Sequence, residues 1–244
     1  GVGLGIIPSR MEAGYPIGYF YGYKTNGIYQ NQSEIDALNA NAVNEEGESI
    51  DFHSGAKVGD LKFVDVNGDG FISDDDKTYI GDPIPDFTMG FNLGFNYKNF
   101  DFNTSAYASI GNDMVRDYER QAAGVNRGTY MYKRWRGEGT SNTVPRASDG
   151  SSINNMNFSD FYVEDASYLR IQNVQLGYTA NESLTSRLGM DSLRMYLSVN
   201  NLFTFTNYYG FDPSASSGSP IGAGIDKGFY PVSRSFLLGL NIKI

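Results

Sequence analysis

The chain has 244 residues, with 19 Lys and Arg against 28 Asp and Glu, and the resulting net charge of −9 excludes a surface built to grip nucleic acid. With no Cys and one His it has no disulfide, no thiolate metal site and no cysteine nucleophile, so any metal must be held by oxygen. Aromatic residues make up 14% of the chain and Gly occupies 29 positions, yet mean hydropathy is −0.38, the combination expected of strands that are apolar on one face only.

Gly3 to Gly5 lacks a strand-to-helix turn after it and is no phosphate loop. The Gly/Tyr-rich stretch Ile17 to Tyr29 is expected to hold one strand, followed by a long connection from about Gln30 to Pro85. Within that connection Ser33 to Leu38 is the helical piece, with Ser33 placed to cap it. Strict alternation then begins. Phe87, Met89, Phe91, Leu93, Phe95 and Tyr97 share one face of Phe87 to Tyr97, and Gly and Asn fill most of the other. After Lys98-Asn99 the pattern resumes from Phe100 to Ser109, which predicts a hairpin with a two-residue turn. Ser167 to Tyr178 slips in phase near Asn173, the mark of a bulge. Leu193 to Phe205 and the last ten residues alternate again, and these two are expected to pair.

Strands of about 10 residues exceed those of ordinary globular sheets and match the roughly 9 to 11 residues that cross a bilayer at a tilt. The connections alternate in length, from two residues at Lys98-Asn99 to the long segments Gly111 to Ala166 and Thr206 to Arg234, with Thr179 to Ser192 between. Short periplasmic turns and long outer loops are the habit of outer-membrane barrels, so phenylalanines and leucines at 91, 93, 95, 102 and 240, with Ile242, are expected to face lipid. The soluble alternative is a β-sandwich whose apolar faces pack on each other.

Chemistry-bearing residues are few. Residues 65 to 76, D-V-N-G-D-G-F-I-S-D-D-D, follow the ligand order of a calcium loop. Asp65, Asn67 and Asp69 would supply side-chain oxygens, Phe71 its carbonyl, Ser73 a hydroxyl directly or through water, and Asp76 the closing carboxylate, while Gly70 permits the turn. The flanks, Leu61 to Val64 and Lys77 to Ile80, read as extended, so this is a loop with calcium-type spacing and not a helix-loop-helix sensor. His53 stands alone and is expected to be a solvated loop residue, not a catalytic base. Carboxylates at Asp74 to Asp76 and at Glu164-Asp165 are read as solvated runs, although a glycosidase pair would have to come from them. Trp135 lies between Arg134 and Arg136 in an expected outer loop, where a ring can stack on sugar and cations can hold acidic groups; the competing role is to anchor the loop by its own packing.

The segments P-I-G-Y-F-Y-G-Y-K-T-N-G-I-Y-Q (16 to 30), G-D-L-K-F-V-D-V-N-G-D-G (59 to 70), I-G-D-P-I-P-D-F-T-M-G-F-N (80 to 92), D-A-S-Y-L-R-I-Q-N-V-Q-L-G-Y (165 to 178) and V-N-N-L-F-T-F-T-N-Y (199 to 208) resemble the C-terminal third of SusC/RagA-type TonB-linked outer-membrane transporters. The resemblance implies an all-β fold, an antiparallel meander of long strands forming the C-terminal part of a 22-stranded barrel, with residues 30–85 an extracellular loop region and 86–244 barrel strands and outer loops. It implies import of glycans or oligopeptides driven through TonB, with the rest of the barrel, a plug and a SusD-like lipoprotein as partners, and no enzymatic activity. The final residue, Ile244, departs from the aromatic that usually ends such barrels. The rival functions are a secreted calcium-stabilised β-domain that binds glycans and a carboxylate-based surface glycosidase.

Overall fold

The computed structural model describes residues 8–44, 46–118, 128–147, 154–216 and 218–244, so Gly3 to Gly5 and parts of the segment 111–166 lie outside the described residues. In chain order its elements begin with β1 (Ser9–Arg10), β2 (Tyr19–Gly22), β3 (Thr25–Ile28), α1 (Gln32–Asn39), β4 (Leu61–Phe63) and β5 (Thr78–Gly81). There follow β6 (Phe87–Tyr97), β7 (Phe100–Ile110), β8 (Asp113–Arg116), β9 (Val163–Asp165), β10 (Tyr168–Thr179), α2 (Glu182–Thr185), β11 (Ser192–Thr206), β12 (Ile225–Asp226) and β13 (Ser235–Lys243). They fall into two compact units, one of Gly1–Ile84, Asp113–Glu164 and Ser216–Gly228, the other of Pro85–Asn112, Asp165–Ala215 and Phe229–Ile244.

The second unit is one antiparallel sheet in the order β13-β11-β10-β7-β6. Both expected pairings are present: β6 with β7 around Lys98-Asn99, and β11 with β13. Lys98 takes a positive φ of 55°, as a two-residue hairpin turn of matching twist requires. Register carries the period-2 pattern across the strands, so that Phe95, Phe102, Leu176, Leu197 and Leu238 form one apolar row and Leu93, Thr104, Val174, Val199 and Phe236 the next. At the short-turn end Tyr97, Phe100 and Tyr178 make a row of rings, with Phe100 and Tyr178 at 4.9 Å between centroids.

The apolar face is uncovered. Phe91, Leu93, Phe95 and Leu240 are 52, 48, 55 and 60% exposed, and among the described residues of this unit no second sheet packs on them. A sandwich would have buried those side chains, so the soluble alternative loses its basis; in hydrocarbon the same face needs no cover. The phase slip is also real. Between Ile171 and Asn173 the register shifts against both neighbours, leaving Gln172 unpaired, and β11 answers with Asn201 at φ 51°. The bulge keeps Ile171 and Leu169 on the apolar side opposite Ala106 and Ala108.

The first unit departs from expectation in two places. Instead of one strand in Ile17 to Tyr29 there are two short ones, β2 and β3, in different sheets: β1-β2-β5 and β3-β4. Gly27, at φ 82°, breaks the run inside β3. The helix starts two residues earlier than a Ser33 cap would have it, because Asn31 is the cap: its side chain accepts from the Glu34 N–H at 3.0 Å, and Glu34 reaches back to the Gln30 N–H at 2.9 Å. Two buried clusters hold the unit, one of Phe20, Val115, Phe158, Tyr162 and Ile225, the other of Tyr23, Ile28, Leu61 and Phe63.

Candidate functional site

The acidic loop links β4 to β5, so its flanks are extended as expected. Its backbone winds around its own carboxylates. Asp65 accepts from the Gly68 N–H at 2.6 Å and the Gly70 N–H at 2.9 Å, Asn67 from the Asp69 N–H at 3.0 Å, and Asp69 from the Phe71 N–H at 3.1 Å. Gly68 and Gly70 supply the positive φ values, 78° and 90°, that such winding needs. Asp76 is completely buried, accepting from the Val66 and Ser73 N–H groups at 2.8 Å each, which corrects the reading of 74–76 as a solvated run at that residue, while Asp74 and Asp75 are exposed. Ser73 caps the short 3-10 turn, its hydroxyl accepting from the Asp75 N–H at 3.2 Å.

The result is convergence: one carboxylate oxygen each of Asp65, Asp69 and Asp76 lie within 4.8 Å of one another. At about 5 Å each like-charge pair repels by about 1 kcal/mol in water and more where water is excluded. Donors that are all hard oxygens on a turn of this kind fit calcium and suit neither zinc nor copper. The loop is fastened to the core beneath it, with the Ile72 N–H donating to the Phe52 carbonyl at 2.6 Å, and Tyr23, stacked on Phe63, donating to Asp74 at 3.1 Å. Lys77 bonds Asp74 at 2.7 Å, and this cation, with the Tyr23 hydroxyl, holds the Asp74 carboxyl below its ordinary range.

Trp135 is half-buried against the second core cluster. Its ring lies over Gly59, where a Cβ would come within 2.5 Å of it, and its indole N–H donates to Gln30 at 3.3 Å. Arg134 and Arg136 bond carbonyls of their own loop, those of Met131 at 3.2 Å and Tyr132 at 3.1 Å, and only Arg136 is exposed. The ring is packed against its own unit in this way. His53 is corrected too: it is 5% exposed, its ring lies 4.9 Å from that of Phe63, and burial pushes its pKa down to about 4, against the opposing pull of Asp60. Glu164 is not free in solvent but lies 2.8 Å from Arg116, whose guanidinium sits among Tyr130, Phe161 and Tyr162.

The sheet's polar face carries features that residue-by-residue reading missed. Arg194 and Asp101, on β11 and β7, form a two-pronged ion pair at 3.0 and 2.6 Å that passes over Gly177 of the strand between them. Asn173 donates to Ser198 at 2.8 Å and Asn200 at 2.7 Å. Near the opposite end Arg170 is 7% exposed and donates to Thr204 at 2.9 Å, Ser214 at 3.0 Å and Asp212 at 2.6 Å. Burial raises the Asp212 carboxyl, but donation from the Val232 N–H, Ser214 and Arg170 outweighs it and leaves the group below its ordinary range. Hydrophobic alternation could not reveal these contacts, because each joins residues tens of positions apart.

No family model matches the chain. The TonB-dependent receptor P3 of Formosa agariphila is 36% identical over 241 residues, covering 96% of this chain and 23% of the receptor. The TonB-dependent receptor SusC of Bacteroides thetaiotaomicron is 33% identical over 225 residues, covering 91% of this chain and 20% of SusC. Among solved structures the RagAB peptide importer in its closed-closed state matches with a TM-score of 0.66 at 23% identity, over 98% of this chain and 24% of that one, a likeness of fold. The chain thus spans between a fifth and a quarter of the length of the relatives it matches.

Proposed function

The chain belongs to the SusC/RagA type of TonB-dependent receptors, outer-membrane β-barrel proteins, and from that premise we propose that it forms part of the wall of an importer that draws oligomeric nutrients across the outer membrane. The observation that carries the reading is the five-stranded sheet with one bare apolar face and one face of Asn, Ser, Gly and paired charge. Lipid takes the first and the water-filled lumen the second. Long connections at one end of the sheet and short ones at the other orient it, with the short turns periplasmic and the long segments outside. The remaining strands and a plug complete the barrel, TonB supplies the energy, and a SusD-like lipoprotein presents the solute. The solute class is a glycan or an oligopeptide, the latter being what the RagAB importer is named for. No bond is made or broken by this segment.

In the same reading the loop 65–76 holds calcium through Asp65, Asn67, Asp69, the Phe71 carbonyl, Ser73 and Asp76. The ion would neutralise the gathered carboxylates and stiffen the loop, with no helix pair to swing open. Oligosaccharide or peptide contact at Trp135, Arg134 and Arg136 would fall chiefly to Arg136, the exposed member of the group.

The test is uptake by cells carrying the full-length receptor, with and without TonB. Uptake of a labelled oligosaccharide or peptide that vanishes in both the receptor and the TonB deletions supports the reading. A full-length protein that purifies as a soluble monomer without detergent would overturn it.

A further inference from the structure

Both legs of the β11–β13 connection, residues 207–215 and 229–234, are tied to the polar face of the sheet at one point. Arg170 projects from β10 on the side of Tyr107 and Thr204, opposite to the apolar Leu169 and Ile171. Its guanidinium takes Asp212 and Ser214 from the first leg. Asp212 in turn accepts from the Val232 N–H of the second leg at 3.0 Å, and Asn201 donates to the Ser233 carbonyl at 3.0 Å. The buried charge pair holds the legs inward over the wall.

Around this clamp lies a hollow of about 290 Å³, to which Arg170, Asn201, Thr204, Phe211, Asp212 and Arg234 contribute. Arg170 is spent on Asp212, so the two arginines against one aspartate leave a net positive charge, carried by the exposed Arg234. Phe211, 69% exposed, supplies a ring face beside it. In a chain with net charge −9 a locally positive hollow stands out, and a cation beside a ring and hydroxyl or amide donors is the arrangement that can hold a carboxylate. We infer that this hollow is a solute-contact subsite for a carboxylate-bearing oligomer, with Arg234 meeting the acid, Phe211 the adjoining ring or side chain, and the Arg170–Asp212 pair fixing both legs in place. The inference rests on the importer reading and names the chemistry of what passes this part of the wall.

The experiment uses the full-length receptor, freed of any cysteine outside this segment, with Phe211→Cys introduced; Val232→Cys serves if the first variant fails to assemble. Its reaction rate is measured with a negatively charged sulfonatoethyl and a positively charged trimethylammonioethyl methanethiosulfonate. A net unit charge in the same hollow favours the anionic reagent by roughly 5- to 10-fold at low salt, and Arg234→Gln abolishes the preference. Trigalacturonate and triglutamate are then tried as protectants beside neutral maltotriose, and whichever acid slows labelling identifies the source of the carboxylate. Equal rates for the two reagents, a preference that survives Arg234→Gln, or no protection by either acid would each overturn the subsite. Labelling is read on purified receptor without transport, so its failure is separate from TonB-independent uptake, which would overturn the importer reading.

Discussion

Gly177 is where a single methyl group has a calculable effect. A Cβ there would fall on the Asp101 carboxylate and within 2.6 Å of Arg194 Nη2, so the ion pair that spans β7, β10 and β11 must open. The pair is about a quarter exposed, 27% for Arg194 and 20% for Asp101, which discounts its two charge-assisted bonds to about 1–2 kcal/mol. Alanine in place of glycine within a strand returns about 0.5–1 kcal/mol. Gly177→Ala is therefore expected to destabilise the barrel by about 1 kcal/mol. The sharper expectation is a change of sign: in the Asp101→Ala, Arg194→Ala background the obstacle is gone, and Gly177→Ala should stabilise by about 0.5–1 kcal/mol. Urea unfolding of the full-length receptor in detergent, followed by heat-modifiable gel mobility, measures all the corners of this cycle. If Gly177→Ala is equally costly in both backgrounds, the ion pair is not what the glycine accommodates.

Leu93→Arg on the bare face is expected to cost about 2–4 kcal/mol near midplane while Asn92→Arg on the polar face assembles; the reverse order in a membrane-assembly assay would mean the faces are exchanged. Calorimetric titration with calcium should give heat that Asp69→Ala removes, at the roughly 10⁻⁴ to 10⁻³ M affinity of extracellular sites, and equal heat in the variant would leave only an acidic turn. His53 titrates near 4 when folded and near 6.5 when unfolded, so the unfolded chain binds the proton more readily. Stability is then complete above about pH 6.5 and falls by about 3 kcal/mol towards pH 4. His53→Gln should flatten that decline in the urea midpoint for proteolytic release of the unit, and an unchanged slope would show that other groups govern it.

The long strands were legible because each buries one side only, so that polarity repeats every second residue, and even the slip at Asn173 left its trace. The short strands were not: β1 to β5 have two to four residues each, too few for a period to show. Asn31 and Glu34 spell a capping box that competes with Ser33, and choosing between them required the backbone. For the acidic loop, spacing alone brought Asp65, Asp69 and Asp76 together, since the turn is local. His53 misled because a loop residue is covered by rings distant in sequence, Phe63 of β4 and Tyr29 just after β3. The same distance along the chain hid Arg170 from Asp212 and Arg194 from Asp101.

The unpaired Gln172 makes the wall count in twos. Removing that one residue would make the pairings Ile171↔Ala106 and Asn173↔Ser105 consecutive, erase the bulge and leave Tyr168 to Ile171 facing as they do, with Arg170 still on the side of Asp212. A single-codon deletion there would thus be absorbed by the bulge, whereas the same deletion inside β7, which pairs with β6 without a shift, would invert the end of that strand, and a two-residue deletion would shorten it and preserve which side each residue faces. Length variation in such a wall is expected to be free in the connections, even-numbered in the strands, and odd only where a bulge absorbs the remainder.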